Sequence, residues 1–198
     1  MNKTIIGIDP GISGGIAVYD PSSPLRNTEV YKMPETPVDM LDLFKKIVQQ
    51  NAANEVIAYQ ELVHGMPGQG GAAMFSFGEI YGILRCALAA NLIRTEVVSP
   101  QRWMKALGIG TRESIKDRDN KDKATIAREL AQAKKEWKAK LKAKAQQLYP
   151  NITVTLWNAD ALLILDYGMK QEFKTSIRES DVFKDKPKAF NAIYGLDL

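Results

Sequence analysis

The chain has 198 residues, a net charge of +4, 45% hydrophobic and 25% charged residues. That balance is ordinary for one globular domain and excludes a disordered, collagen-like or two-lobed architecture. A single cysteine, Cys86, and a single histidine, His64, exclude an intramolecular disulfide and any zinc site built from several Cys or His.

Thr4–Ile8 is a compact β-branched run that reads as a buried central strand. It is followed by the turn Asp9-Pro10-Gly11-Ile12-Ser13-Gly14-Gly15 and a second, antiparallel strand, Ile16–Tyr19. Glu29–Lys32 reads as a third strand. Asp39–Gln50 carries Leu41, Phe44, Ile47 and Val48 at helical spacing. Glu55–Gln60 is a strand ending at Glu61. A Gly-rich stretch, His64–Gly71, leads into a helix over Ala72–Asn91. Arg94–Val98 is a strand, and Ser99-Pro100 starts a helix with Ser99 as N-cap.

Thr111–Asp122 is charged and loop-like. Lys123–Leu148 is strongly helical, with an apolar stripe from Ile126 to Leu148, a length of roughly 40 Å and a stop at Pro150. Ala159–Met169 is a last apolar helix, and the residues from 171 read as a tail after a single domain over 1–170. Antiparallel strands followed by β/α alternation give a mixed α/β class. The apolar stretch Tyr81–Ile93 is interrupted by Arg85 and is too short for a bilayer. With no signal-peptide pattern at Met1–Thr4, the expectation is a cytoplasmic protein without a membrane partner.

Charge is unevenly spread. Residues 111–147 hold 12 Lys/Arg against 6 Asp/Glu, while the rest holds 15 against 17. A basic segment on a near-neutral body points to a polyanion, most often nucleic acid; the plainer reading is a solvated lysine-rich helix.

Three acids stand where a charge is costly. Asp9 ends an apolar strand, Glu61 ends another, and Asp160 heads the very apolar Ala161–Leu165 run. No basic neighbour in sequence compensates any of them. Asp9 could simply cap its turn and Asp160 could simply serve the helix dipole. Glu61 has no such ordinary role. Three acids brought together would repel unless a hard divalent cation, Mg²⁺ or Mn²⁺, held them.

Ile6-Gly7-Ile8-Asp9-Pro10-Gly11-Ile12-Ser13-Gly14 resembles the first motif of the RuvC-like Holliday-junction resolvases. Glu61 after Val56–Gln60 resembles their second, and Ala159–Ile164 their C-terminal acidic motif. His64–Gly70 through Phe77-Gly78, and Ser99–Gly108, resemble phage-type members in particular. The resemblance spans Thr4 to Gly168. It implies a ribonuclease H-like fold, a mixed five-stranded sheet flanked by helices, with a long basic helix.

It also implies a homodimer placing two active sites on one four-way DNA junction, and metal-dependent phosphodiester hydrolysis leaving 5′-phosphate and 3′-hydroxyl ends. Mg²⁺ would be the cofactor, with Mn²⁺ able to substitute, and no nucleotide cofactor is implied. On that resemblance Asp9, Glu61 and Asp160 bind metal and carry catalysis, with depressed carboxylate pKa values expected of ligands. Lys123, at the head of the basic helix, matches the family's catalytic lysine, with Lys121 second. Lys105 matches another basic position. The family's fourth acidic or His ligand, just before the last Asp, is missing: Thr155-Leu156-Trp157-Asn158 stands there, and Asn158 is the substitute ligand through its carbonyl.

His64 and Met66 follow Glu61 where the family wedges a residue into the junction; His64 also reads as an ordinary loop residue. Lys134, Lys135, Lys138 and Lys142 are expected to contact the DNA backbone without reading sequence. Trp137 reads as core rather than a nucleic-acid platform, Phe75 and Phe77 as core or dimer contacts rather than base-stackers, and Asp166 as pointing away from the site.

The function expected is a structure-selective endonuclease of Holliday junctions or other branched DNA, serving recombination, repair or clearance of phage DNA. One alternative is a catalytically impaired junction-binding protein on the same fold. Another rests on Gly7–Gly11, which also resembles the first phosphate loop of actin-like sugar kinases. The chain's length and its lack of a second such loop speak against it.

Overall fold

A computed structural model of the chain describes residues 2–22, 28–65, 70–111 and 121–179, with side chains as far as 172. Five strands, β1 (Lys3–Asp9), β2 (Gly15–Tyr19), β3 (Thr28–Lys32), β4 (Glu55–Glu61) and β5 (Arg94–Val98), form one sheet in the order β3-β2-β1-β4-β5. β1–β2 and β2–β3 pair antiparallel; β1–β4 and β4–β5 pair parallel. Five helices flank it: α1 (Pro37–Gln50), α2 (Gly71–Ala90), α3 (Pro100–Ala106), α4 (Lys123–Leu148) and α5 (Ala159–Glu179).

β1 is buried on both faces, which is why Thr4–Ile8 reads as an unbroken apolar run rather than an alternating one. Ile6 and Ile8 pack into one core with Met40, Phe44 and Ile47 of α1 and Leu84, Ala87 and Leu88 of α2. Ile5 packs into the other, with Trp103 of α3, Leu141 and Ala145 of α4, and Ala161–Leu165 of α5. Side-chain caps fix three helix starts. Thr36 accepts from the Asp39 N–H, Ser99 from that of Arg102 and Asp122 from that of Thr125, each leaving one fewer unpaired donor in the first turn.

α5 lies flush on the sheet because two glycines remove side chains from the seam. A Cβ on Gly7 would stand 2.3 Å from the Leu165 nitrogen and 2.4 Å from the Ala161 carbonyl oxygen. A Cβ on Gly168 would stand 2.5 Å from the Tyr59 ring.

Helix boundaries differ from the sequence reading: α1 starts at Pro37 rather than Asp39, and α2 spans Gly71–Ala90 rather than Ala72–Asn91. α5 does not stop at Met169 but continues to Glu179, so the expected tail begins inside a helix. Its Glu172 is buried and tied to the sheet. Oε2 accepts from Lys3 Nζ at 2.8 Å, and Oε1 from Tyr59 Oη at 2.8 Å and Arg94 Nη2 at 2.6 Å. The expected domain end at 170 therefore cuts through this cluster. The apolar stretch expected to be too short for a bilayer belongs to a 20-residue helix, α2, long and apolar enough by length and composition to cross one. Through Leu84, Ala87 and Leu88 it packs into the same core as α1. The 112–120 part of the expected charged loop lies outside the described residues.

Candidate active site

The parallel register of β1 and β4 aligns Ile8 with Gln60, so Asp9 and Glu61 are the next residues at the same carboxyl edge. Side chains alternate along a strand, and both acids share the face of Ile5, Ile57 and Tyr59, the one covered by α5. The close seam at Gly7 then brings the head of α5, with Asp160, against that edge. Asp9, Glu61 and Asp160, far apart in sequence, thus converge at one corner of the sheet.

Their electrostatics follow from that convergence. Burial pushes Glu61 up to about 8, aided by the charges of Asp9 and Asp160 and opposed by the Trp103 hydrogen bond. Asp160 rises to about 7 through burial and the Asp9 charge, against the pull of Lys138. Asp9 is raised by burial, which outweighs the Gly11 N–H donating to Oδ1 at 3.3 Å and the Lys138 charge. The depressed values expected of metal ligands are therefore reversed without a metal, because desolvation and mutual repulsion dominate.

Two supporting groups escape a linear reading. The fully buried Trp103 donates its indole Nε1–H to Glu61 Oε1 at 3.1 Å, fixing that carboxylate from α3. The cation acting on Asp9 and Asp160 is Lys138, not Lys123. Lys123 opens α4 fifteen residues upstream, about 22 Å along the helix axis, and is exposed.

Asn158, the substitute ligand expected by resemblance, has its amide engaged within its own turn. It is buried, its Oδ1 accepts from the Thr155 N–H at 2.8 Å and its Nδ2 donates to the Thr153 carbonyl at 3.2 Å. Its amide is used in closing the turn that launches α5. Asp166 points elsewhere, as expected, with Lys170 at 3.3 Å.

The remaining basic residues fall into groups. Lys134, Lys138 and Lys142 recur every four residues beside the buried Leu141–Ala145 seam, and with Lys135 they are exposed. Lys105 is exposed in the last turn of α3. Lys121, expected on DNA, holds both oxygens of Glu129 at 2.8 Å. His64 is exposed just past Glu61, and Met66 lies outside the described residues. Trp137 packs half-buried against the core, with Lys140 over its ring at 5.3 Å.

In donor chemistry the site fits a hard divalent cation, since three partly buried, mutually repelling carboxylates are opposed, among the described residues, by the charge of one lysine, Lys138. In spacing it is open: among the described residues no three Asp, Glu, His or Cys side chains stand close enough to hold one ion as they are placed.

The topology matches solved structures. RuvC from Thermus thermophilus aligns at a TM-score of 0.50 with 13% identity, over 87% of this chain and 96% of that one. The same organism's RuvC in complex with Holliday junction substrate aligns at 0.55 with 14% identity, over 88% and 96%. The chain has a RuvC-like fold. The yeast mitochondrial Holliday junction resolvase Ydc2 aligns at 0.44 with 14% identity, over 87% and 80%. No family model and no curated protein matches the chain. The RuvC-like fold confirms the expected five-stranded mixed sheet flanked by helices.

Proposed function

We propose that this chain is a metal-dependent endonuclease of branched DNA, cutting phosphodiester bonds to leave 5′-phosphate and 3′-hydroxyl ends. The observation that carries the reading is the convergence of Asp9, Glu61 and Asp160 at one sheet corner beside a helix lined with exposed lysines. Such a cluster is costly to the fold and repaid only by a cation.

Asp9, Glu61 and Asp160 would hold Mg²⁺ or Mn²⁺, which when bound would activate water and stabilise the leaving oxygen. The protein's own contribution is positional. Trp103 orients Glu61, the Gly11 N–H orients Asp9, and the α5 seam orients Asp160. Lys138 tempers the negative field that a phosphate must enter. Lys134, Lys135 and Lys142, with Lys105, would meet the DNA backbone. The four-way junction as substrate is taken over from the RuvC of like fold bound to one.

A homodimer would suit such a substrate, and α2 offers its face. Phe75 is 75% exposed and lies on one side with Gly78, Gly82 and Cys86, where nothing stands within 4 Å of a Cβ on either glycine. The setting would be cytoplasmic, in host or phage DNA metabolism. A second reading, junction binding without cutting, draws support from Asn158 being committed to its own turn and from the open spacing of the acids.

Nicking of a synthetic four-way junction against matched linear duplex, in Mg²⁺, Mn²⁺ and EDTA, decides between them. Junction-selective, metal-dependent nicks that vanish in Asp9→Asn support the enzyme. Tight junction binding without nicks supports the second reading.

A further inference from the structure

Strand pairing sets a row of residues across the carboxyl edge of the sheet. Lys32 ends β3 opposite Gly15, Gly15 opens β2 opposite Asp9, and Asp9 stands level with Glu61. Residues directly opposite one another share a face, so Lys32 lies on the same face as the two acids, the one covered by α5. Two strand spacings of about 4.8 Å place its backbone roughly 10 Å from that of Asp9. Lys32 is exposed, and no carboxylate among the described residues pairs with it.

A free lysine this close to unmatched acids would ordinarily turn toward them. What stands in between is an indole. A Cβ on Gly15 would lie 3.0 Å from Cε3 and 3.2 Å from Cζ3 of Trp157, so the glycine leaves a seat on the sheet that the Trp157 ring fills. Trp157 belongs to the turn that Asn158 closes and that delivers Asp160. One turn therefore brings an acid to the corner and a spacer to its flank. The row reads as cation, apolar ring, then acids, with the cation at the β3 end.

A nucleic-acid strand carries a matching pattern, because its charges recur along the backbone with uncharged sugars between them. Resting on the nuclease reading above, we propose that Lys32 holds a phosphate neighbouring the scissile one on the same strand, with Trp157 spacing the two. Lys32 is thus a positioning residue, and it gives the cut strand a direction: from the acids across β2 toward β3. Lys138, whose charge reaches Asp9 and Asp160 from α4, lies at the start of that path.

The test is equilibrium binding in EDTA to four-way junctions in which one phosphate at a time is replaced by an uncharged methylphosphonate. The replacement is walked to either side of the phosphate that the natural protein nicks in Mg²⁺. Each contacted phosphate is expected to show a penalty of about threefold, the scale of one ionic contact. In Lys32→Gln one penalty, beside the nicked phosphate, should vanish while the others remain. The loss of affinity between about 50 and 200 mM salt should also shrink about threefold, and Lys32→Arg should restore both. A Lys32→Gln protein that keeps every penalty and the natural salt dependence overturns the assignment while junction binding itself stands. So does a vanished penalty that lies away from the nicked phosphate. Absence of nicks, or of any preference for junctions over linear duplex, in the natural protein overturns the nuclease reading and the assignment with it.

Discussion

The same face of the same sheet carries two acidic clusters, both completed by α5, and they are opposites. At the amino end of β1, Glu172 is matched by Lys3, Tyr59 and Arg94. Burial opposes its ionisation, but the bonds from Lys3 and Tyr59 and the Arg94 charge outweigh it and hold the carboxyl below its ordinary value. At the carboxyl edge, Asp9, Glu61 and Asp160 face one another and are all raised. A carboxylate that serves the fold brings its cations with it. A carboxylate kept for chemistry is left with a deficit that a ligand must fill.

The sharpest way to break the comparison is to remove one member of the unmatched cluster. Asp9→Asn should lower junction nicking by at least about a thousandfold, measured in single-turnover assays with Mg²⁺. In EDTA the same variant should melt higher than the natural protein, because it relieves the repulsion on Glu61 and Asp160. If removing an acid here lowered both quantities, the cluster would be structural.

Next in size is the effect of removing the matched acid. Glu172→Ala should cost about 2 kcal/mol in urea unfolding, since it leaves Lys3 and Arg94 without their partner, although the half-exposed Arg94 recovers part of its hydration. The two clusters should also answer pH in opposite directions. Glu61 and Asp160 bind protons more tightly folded than unfolded. Their contribution is full below pH ~4 and is lost as pH rises through 7 to 8, so the melting temperature in EDTA should fall over that range. Mg²⁺ should flatten the decline. Glu172 works the other way, its share of stability vanishing as pH falls through its lowered value. Thermal scans in EDTA and Mg²⁺ from about pH 2 to 9 would separate them.

The smallest effect tests the tuning of a single acid. Trp103→Phe keeps the ring in the core but removes the donor to Glu61, so Glu61 should titrate higher still. Stability should drop by about 1 kcal/mol, and the pH at which nicking reaches half its maximum should rise.

What the sequence disclosed divides along the same line. Acids at the ends of apolar runs are conspicuous because charge is costly there, so Asp9, Glu61 and Asp160 were visible from their flanks alone. The start of α3 was legible from Ser99 as its cap, whereas α1 begins two residues before its expected start and α5 runs ten residues past its expected end. Partnerships were hidden. Glu172 meets residues 169, 113 and 78 positions away, and to a linear reading it is one more charge in a polar tail. Trp103 reads as core and is core, yet its indole N–H serves an acid 42 residues earlier. Among many lysines on α4, only the depth at which the helix docks selects Lys138 over Lys123.

The glycine seam under α5 has a consequence for how such a chain can change over generations. Gly7 is keyed to Ala161 and Leu165, and Gly168 to Tyr59 and Ile5. One residue inserted or deleted between Asp160 and Gly168 would turn the two by about 100° relative to each other. Either the acid would leave the corner or a side chain would fall into the gap. This interval is a fixed ruler, and descendants that keep the site must inherit its spacing unaltered.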